Sequence, residues 1–228
     1  MTMHFVNLLD ELRRRSLRMA GMVEDMFEEA CDAVVNIDHA LARRVIARDD
    51  EIDAEEVAVE SDVIRLMTLF QPMGSDMRLL CTVLKVNNDL ERIADCAVNI
   101  AERVQHLDPR SGASEDAELK RMLPVVRRLL RSAVQAYATA DADAAQRLFG
   151  EDDAIDAFYG QFIRKLTAQA AQAPEQMAMH LDTLSIAKNL ERIADHAMNV
   201  AEDVVFLGTG RIVRHERCTR RQPPSAAL

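Results

Sequence analysis

Residues 90–102 read LERIADCAVNIAE, and residues 190–202 read LERIADHAMNVAE. Ten of the thirteen positions are the same at a fixed offset of 100. Self-similarity at one offset constrains architecture more than any local signal, and here it divides the chain into two related halves of roughly 100 residues. The repeated segment contains no Gly or Pro, and its Ala, Leu, Glu and Arg favour helix. On a wheel of about 100° per residue with Glu91 at 0°, Asp95 falls near about 40°, Asn99 near about 80° and Glu102 near about 20°. Ile93, Ala94, Ala97, Ile100, Ala101 and Val104 fall between roughly 180° and 300° on the same wheel. The segment therefore reads as a helix with a core-building stripe on one side and carboxylates facing away from that core. Glu91 and Asp95 stand one turn apart and can face one ligand. The second half keeps the pair as Glu191 and Asp195.

Working outward, residues 5–36 predict a first helix, with Leu8, Leu12, Met19, Val23, Met26, Ala30 and Val34 at three- and four-residue steps. A second helix is predicted over 39–70, capped by Asn36 or Asp38. Pro72 interrupts the pattern, and a third helix over 73–107 carries the first copy of the repeat. The stretch DPRSGASED at 108–116 gathers Pro, Gly, Ser and Asp and marks the boundary between halves. The second half repeats the order, with helices over 115–140, 142–170 and 174–207, and Pro174 matches Pro72. The expected fold is all-α, two tandem three-helix bundles related by the internal repeat. It should be elongated, since the third helix alone would measure about 50 Å. The expected units are 1–108, 115–208 and a tail over 209–228. That tail holds Arg211, Arg214, Arg217, Arg220 and Arg221 against Glu216, and reads as disordered.

Composition agrees with long packed helices. Apolar residues make up 49% of the chain, enough for a core, while aromatics at 4% and the lack of Trp argue against a sandwich or a nucleotide-binding α/β fold. The formal net charge of −10 argues against stable nucleic-acid binding, which usually needs a basic surface. Cys31, Cys81, Cys96 and Cys218 match no zinc spacing, and the first three, lying in helical pattern, read as buried free thiols. The N-terminus shows no continuous apolar h-region, and no run approaches the roughly 18 apolar residues of a membrane span. The expected location is cytoplasmic.

More carboxylates lie upstream of each copy. Asp49, Asp53, Glu56 and Glu60 form one stripe on the second predicted helix, and DDEID at 49–53 corresponds to DDAID at 152–156. Like charges one turn apart cost roughly 0.2–0.5 kcal/mol per pair on an exposed helix, a cost that a multivalent cation reverses. Sets made only of carboxylates suit hard or borderline ions. The candidate metal ligands are Asp49, Asp53, Glu91, Asp95, Asp152, Asp156, Glu191 and Asp195. The plainer reading is a solvated acidic face paired with Arg92 and Arg192. His196, about 100° further round the helix from Asp195, reads as a structural or surface histidine rather than a ligand. The copies differ. At an offset of 103, Glu56 and Glu60 become Tyr159 and Ile163, and at an offset of 100, Asn88 becomes Lys188. The second site should therefore hold metal more weakly. No phosphate-binding glycine loop, dinucleotide fingerprint or H-E-x-x-H motif is present, so no catalytic or organic-cofactor residues are assigned.

With NNDLERIADCAVNIAE, KNLERIADHAMNVAE, DDEID and DDAID in this order, the chain resembles the PhoU family of phosphate-signalling proteins over residues 5–207. The resemblance implies two three-helix bundles side by side and metal clusters on E(D)-x-x-x-D motifs. On this chain those would be Asp49/Asp53 with Glu91/Asp95, and Asp152/Asp156 with Glu191/Asp195, holding Mn, Fe or Mg. It also implies a cytoplasmic homodimeric regulator, not an enzyme, acting between a phosphate ABC transporter, through its ATPase subunit, and a phosphate-sensing histidine kinase. Such a regulator represses the phosphate-starvation response and restrains uptake, and meets the membrane only through its partners. A metal-dependent phosphoester hydrolase and a phosphate-responsive chaperone-like factor are the alternative functions. The Arg-rich tail lies outside the resemblance.

Overall fold

The computed structural model describes residues 3–110, 113, 116–170 and 176–213. Among them are eight α-helices and no strands. The first half contains α1 (Met3–Asn36), α2 (His39–Ile46), α3 (Asp49–Phe70) and α4 (Ser75–Val104). The second contains α5 (Ala117–Thr139), α6 (Ala142–Arg147), α7 (Asp152–Ala170) and α8 (Met177–Thr209). Pro174, four residues of the 108–116 boundary stretch, Cys218 and the tail from 214 onward lie outside the described residues.

The helices expected over 39–70 and 142–170 are each broken in two, which corrects the sequence reading. The cause is electrostatic punctuation. Helix α2 ends with Arg43 and Arg44 in its last turn, and α3 begins with Asp49, Asp50 and Glu51 in its first. Cations suit the negative end of a helix dipole and anions the positive end. The second half repeats the device, with Arg147 ending α6, Asp152 and Asp153 opening α7, and Gly150 at φ 95° between them. DDEID and DDAID are thus helix starts. Asp38 caps α2 by accepting from the Ala40 and Leu41 amides at 2.9 and 3.0 Å, as Asp141 caps α6. Asn36 instead closes α1, donating to the Asp32 carbonyl.

Helices α1 and α4 with the α2–α3 arm make one three-helix bundle, and α5 and α8 with α6–α7 make the other. The bundles meet through repeat-related helices, α4 against α8 and α1 against α5. Both seams run antiparallel. Arg127 reaches Glu28 and Asp32 while Arg131 reaches Glu24, and Lys85 pairs with Asp203 while Arg103 pairs with Asp182. The apolar sides of both repeats are buried: Leu90, Ile93, Ala97, Ile100 and Ala101 on α4, and Leu190, Ile193, Ala197 and Ala201 on α8. One core runs through both halves, joining Phe27, Leu90 and Ile100 to Leu123, Phe162 and Leu190. Val213, past the end of α8, packs into it as well. A smaller core of Phe5, Leu9, Leu12, Val59, Val63, Leu66, Leu80 and Val83 belongs to the first half alone.

Cys31 and Cys96 are buried free thiols and Cys81 is half-buried. No helix among the described residues is long and apolar enough to cross a membrane.

Leu90 is fully enclosed at the junction of the bundles, whereas Leu69 on α3 is largely exposed. Leu90→Ala should destabilise the fold by about 2–5 kcal/mol, through lost burial and the cavity left behind. Leu69→Ala should stay within about 0.5 kcal/mol of the parent. Urea unfolding of both variants checks this, and equal midpoints would refute the shared-core description.

Candidate functional site

The first acidic site lies where α3 runs beside α4. Asn87 on α4 donates to the Glu56 carbonyl of α3 at 3.0 Å and holds the two helices in register. Asp49 and Asp53 come from the first turns of α3, and Glu91 and Asp95 from α4. Their mutual fields show that these groups face one another. The Asp49 carboxyl is held above its ordinary range by burial, then by Asp53, Asp95, Asp50 and Glu102. Glu56 is raised by burial, then by Glu60 and Asp53, with Asp95 adding a smaller push. Glu91 rises from 4.5 to about 7 through burial first, then Asp95 and Glu56, against the opposing charge of Arg92.

Glu91 corrects the wheel reading that set it facing away from the core. Its side chain is only 16% exposed, and its Oε2 is enclosed without a hydrogen bond. The side of α4 opposite its apolar stripe is covered by α3. Arg92 Nε lies 3.2 Å from that Oε2 as an ion pair, and Arg92 Nη1 donates to Asp95 at 3.2 Å. The sequence-expected Arg92 pairing is thus present, and the enclosed Glu91 oxygen has that ion pair but no hydrogen bond.

The second site, between α7 and α8, brings Asp152 and Asp156 toward Glu191 and Asp195. Asp195, although open to solvent, has its carboxyl pushed up to about 6. Desolvation by the surrounding chain is the first cause, then Glu191, Asp156 and Asp152, with Lys188 opposing. Lys188 Nζ donates to Glu191 Oε2 at 2.5 Å and lies 5.2 Å above the Tyr159 ring. Tyr159 and Ile163 stand where the first site has Glu56 and Glu60.

Among the described residues, no three His, Cys, Asp or Glu side chains are arranged to hold a metal ion as they lie. The first set nonetheless suits a hard cation in its chemistry: its donors are all carboxylate oxygens, they repel one another, and one enclosed oxygen accepts no hydrogen bond. The second set suits one less well, because Lys188 occupies Glu191 and Tyr159 and Ile163 replace the two further carboxylates of the first set.

Sequence reasoning did not find Asp89. It is buried in the α4–α8 seam, where its Oδ1 accepts from Asn199 Nδ2 at 3.1 Å and lies 2.8 Å from His196 Nδ1. His196 is therefore structural, as read. The repeat-related trio is Asn189, Cys96 and Asn99, whose amides instead donate to the carbonyls of Ser185 and Asp95. The Cys96/His196 mismatch within an otherwise close repeat is the sequence signal that marks this network.

A family model described as PhoU domain matches residues 16–104 and 119–204. Curated relatives are named phosphate-specific transport system accessory protein PhoU homologues. One from Pseudomonas aeruginosa is 32% identical over 213 residues, covering 93% of this chain and 88% of that one. One from Caulobacter vibrioides is 34% identical over 224 residues, covering 95% and 96%. A crystal structure of PhoU from Pseudomonas aeruginosa superposes with a TM-score of 0.84 at 30% identity, covering 91% of this chain and all 100% of that chain. One of the phosphate transport system regulatory protein PhoU from Streptococcus pneumoniae gives 0.82 at 27% identity, covering 92% and 99%.

The raised proton affinities of Glu91 and Asp195 have a definite sign. With folded values of about 7 and about 6, above the ordinary 4.5 and 3.8, the folded chain holds more protons than the unfolded one through this window. Their contribution to stability is then favourable at low pH and lost as pH rises. In chelator, the stability of a Glu91→Gln, Asp195→Asn variant relative to the parent should improve steadily from about pH 5 to about pH 8. Urea midpoints measured across that range decide it; a constant difference would show that neither group is perturbed.

Proposed function

The chain belongs to the PhoU family, and from that premise we propose that it is a non-enzymatic adaptor restraining phosphate uptake and the phosphate-starvation response. Its partners in this reading are the ATPase subunit of a phosphate ABC transporter and a phosphate-sensing histidine kinase. It works in the cytoplasm as a homodimer and meets the membrane only through those partners. The observation that carries the reading is whole-chain similarity to accessory proteins of phosphate-specific transport systems. An adaptor changes a partner's activity only by binding one of its conformations more tightly than the other. Two bundles sharing one core offer a stiff body for that task.

The acidic sites enter the proposal as cation-organising surfaces. Asp49, Asp53, Glu91 and Asp95 would hold Mn, Fe or Mg at the first site, and Asp152, Asp156, Glu191 and Asp195 form the second set. A bound cation would supply positive charge that offsets carboxylate repulsion and gives the face an anion-attracting centre. Arg92 holds Glu91 and Asp95 in place until then. Glu91, half enclosed by α3, sets the inner wall of the site.

Two measurements test this reading. Protein captured from phosphate-rich and phosphate-starved cells should enrich a phosphate-transporter ATPase or a sensor kinase, and enrichment of neither would sink the adaptor role. Protein purified without chelator should carry Mn, Fe or Mg, and changing Asp49, Asp53, Glu91 and Asp95 to Ala should remove most of it. Unchanged metal content in that variant would dismiss the first site.

A further inference from the structure

The two acidic sites occupy repeat-related positions but differ in what lies inside them. In the first, the position one turn before Glu91 is Asn88, and the facing position on α3 is Glu56. In the second, these are Lys188 and Tyr159. The exchange adds one positive charge and removes one negative charge between the same two helices. The replacements touch. Lys188 Nζ donates to Glu191 Oε2 and rests over the Tyr159 ring, where an ammonium is attracted by the negative ring face. A metal ion at this site would have to take Glu191 from the lysine and meet an ammonium beside it. Arg92 and Arg192 hold the same place in the sequence of the two repeats. Arg92 pairs with Glu91 and Asp95, so the first site also carries a guanidinium, and what sets the second apart is Lys188 on Glu191 together with the loss of the Glu56 carboxylate.

We infer that the second acidic site already contains its cation, the Lys188 ammonium held by Glu191 and Tyr159, and takes up no metal ion where the first site does. The inference rests on the cation reading of the first site. The chain is then a one-metal-site protein built on a two-site repeat, with an intramolecular ion pair in the second position.

The probe is Mn²⁺ alone, titrated into chelator-stripped full-length protein and followed by the electron-spin signal of the free ion. In a Glu91→Gln, Asp95→Asn background, the second site should show no saturable uptake at concentrations that fill the first site of the parent. Adding Lys188→Asn with Tyr159→Glu, the residue types of the first copy, should create a saturable site at least tenfold tighter. Adding Asp195→Asn should abolish it. Saturable uptake in the starting background, with Lys188 intact and lost on Asp195→Asn, would overturn the inference, as would the absence of any gain on removing Lys188. Failure of the first-site reading shows in a different arm: the parent takes up no Mn²⁺, while gain or no gain on replacing Lys188 still decides the lysine's role. A metal-free readout stands beside these. Lys188→Gln, which keeps the side-chain stem, should lower the melting temperature in chelator at pH 7.5, and Mn²⁺ should raise it by more than in the parent. A melting temperature unchanged by Lys188→Gln in chelator, and raised by Mn²⁺ no more than the parent's, would also overturn the inference.

Discussion

Everything in this molecule is arranged around the face-to-face burial of two alanine-rich helices, α4 and α8. Ala94, Ala97 and Ala101 on one and Ala194, Ala197 and Ala201 on the other are all buried, so the helices can come close along a shared stripe. Leu90, Ile93 and Ile100 with Leu190 and Ile193 fill the space on either side of that stripe. Each such side chain contributes about 1.5–3 kcal/mol on burial. The like-charge pairs on the other side of the same helices cost a few tenths of a kcal/mol each, roughly 0.2–0.5. Burial therefore decides the fold, and the carboxylates are carried along on the faces it leaves over.

That ordering explains why the acidic sites are composite. With one side of α4 committed to α8 and α1, the remaining side receives the α2–α3 arm, and the same geometry gives α6–α7 to α8. Neither helix of a pair carries a complete set of ligands. The acids at the starts of α3 and α7 serve the helix dipole locally and face the repeat across the groove. One run of Asp and Glu thus starts a helix and faces the repeat, so the break in the predicted helix at 47–48 leaves the candidate carboxylates opposite one another. The ends of the α4–α8 seam carry matching pairs in which the first half supplies the basic side chain and the second the carboxylate, Lys85 with Asp203 at one end and Arg103 with Asp182 at the other.

Most of the architecture was legible because it is written at helical period: the ten shared positions of the repeat and its apolar stripe survive into the structure. The breaks at 47–48 and 148–151 were hidden because Leu41, Val45 and Ile52 keep their apolar spacing across the first of them. The burial of Glu91 was hidden for another reason. A wheel assigns an angle to a side chain but does not say which neighbour covers that angle, and α3 covers it here. Asp89 and His196 could have been suspected, since they fall at about 160° and about 140° on their wheels, beside the apolar stripe. A carboxylate and an imidazole at those angles from two copies of one repeat can meet only if the copies pack against each other, and the seam shows that they do.

The two halves have diverged in a consistent direction. Helix α1, at 34 residues, extends past its counterpart α5, at 23, and the extra turns carry Phe5, Leu9 and Leu12 into a core of their own. Met3, Leu69 and Met73 project from that end of the first bundle. The first half thus combines the richer acidic set, the enclosed Glu91 carboxylate and an exposed apolar end. The second half replaces Glu56 and Asn88 with Tyr159 and Lys188, closing its acidic groove with an ion pair and a ring. A repeat can lose one of two equivalent sites without losing its fold because the seam, and not the sites, holds the helices together. The burial of Leu190, Ile193 and the alanines keeps α8 in register with α4 whatever fills the acidic groove.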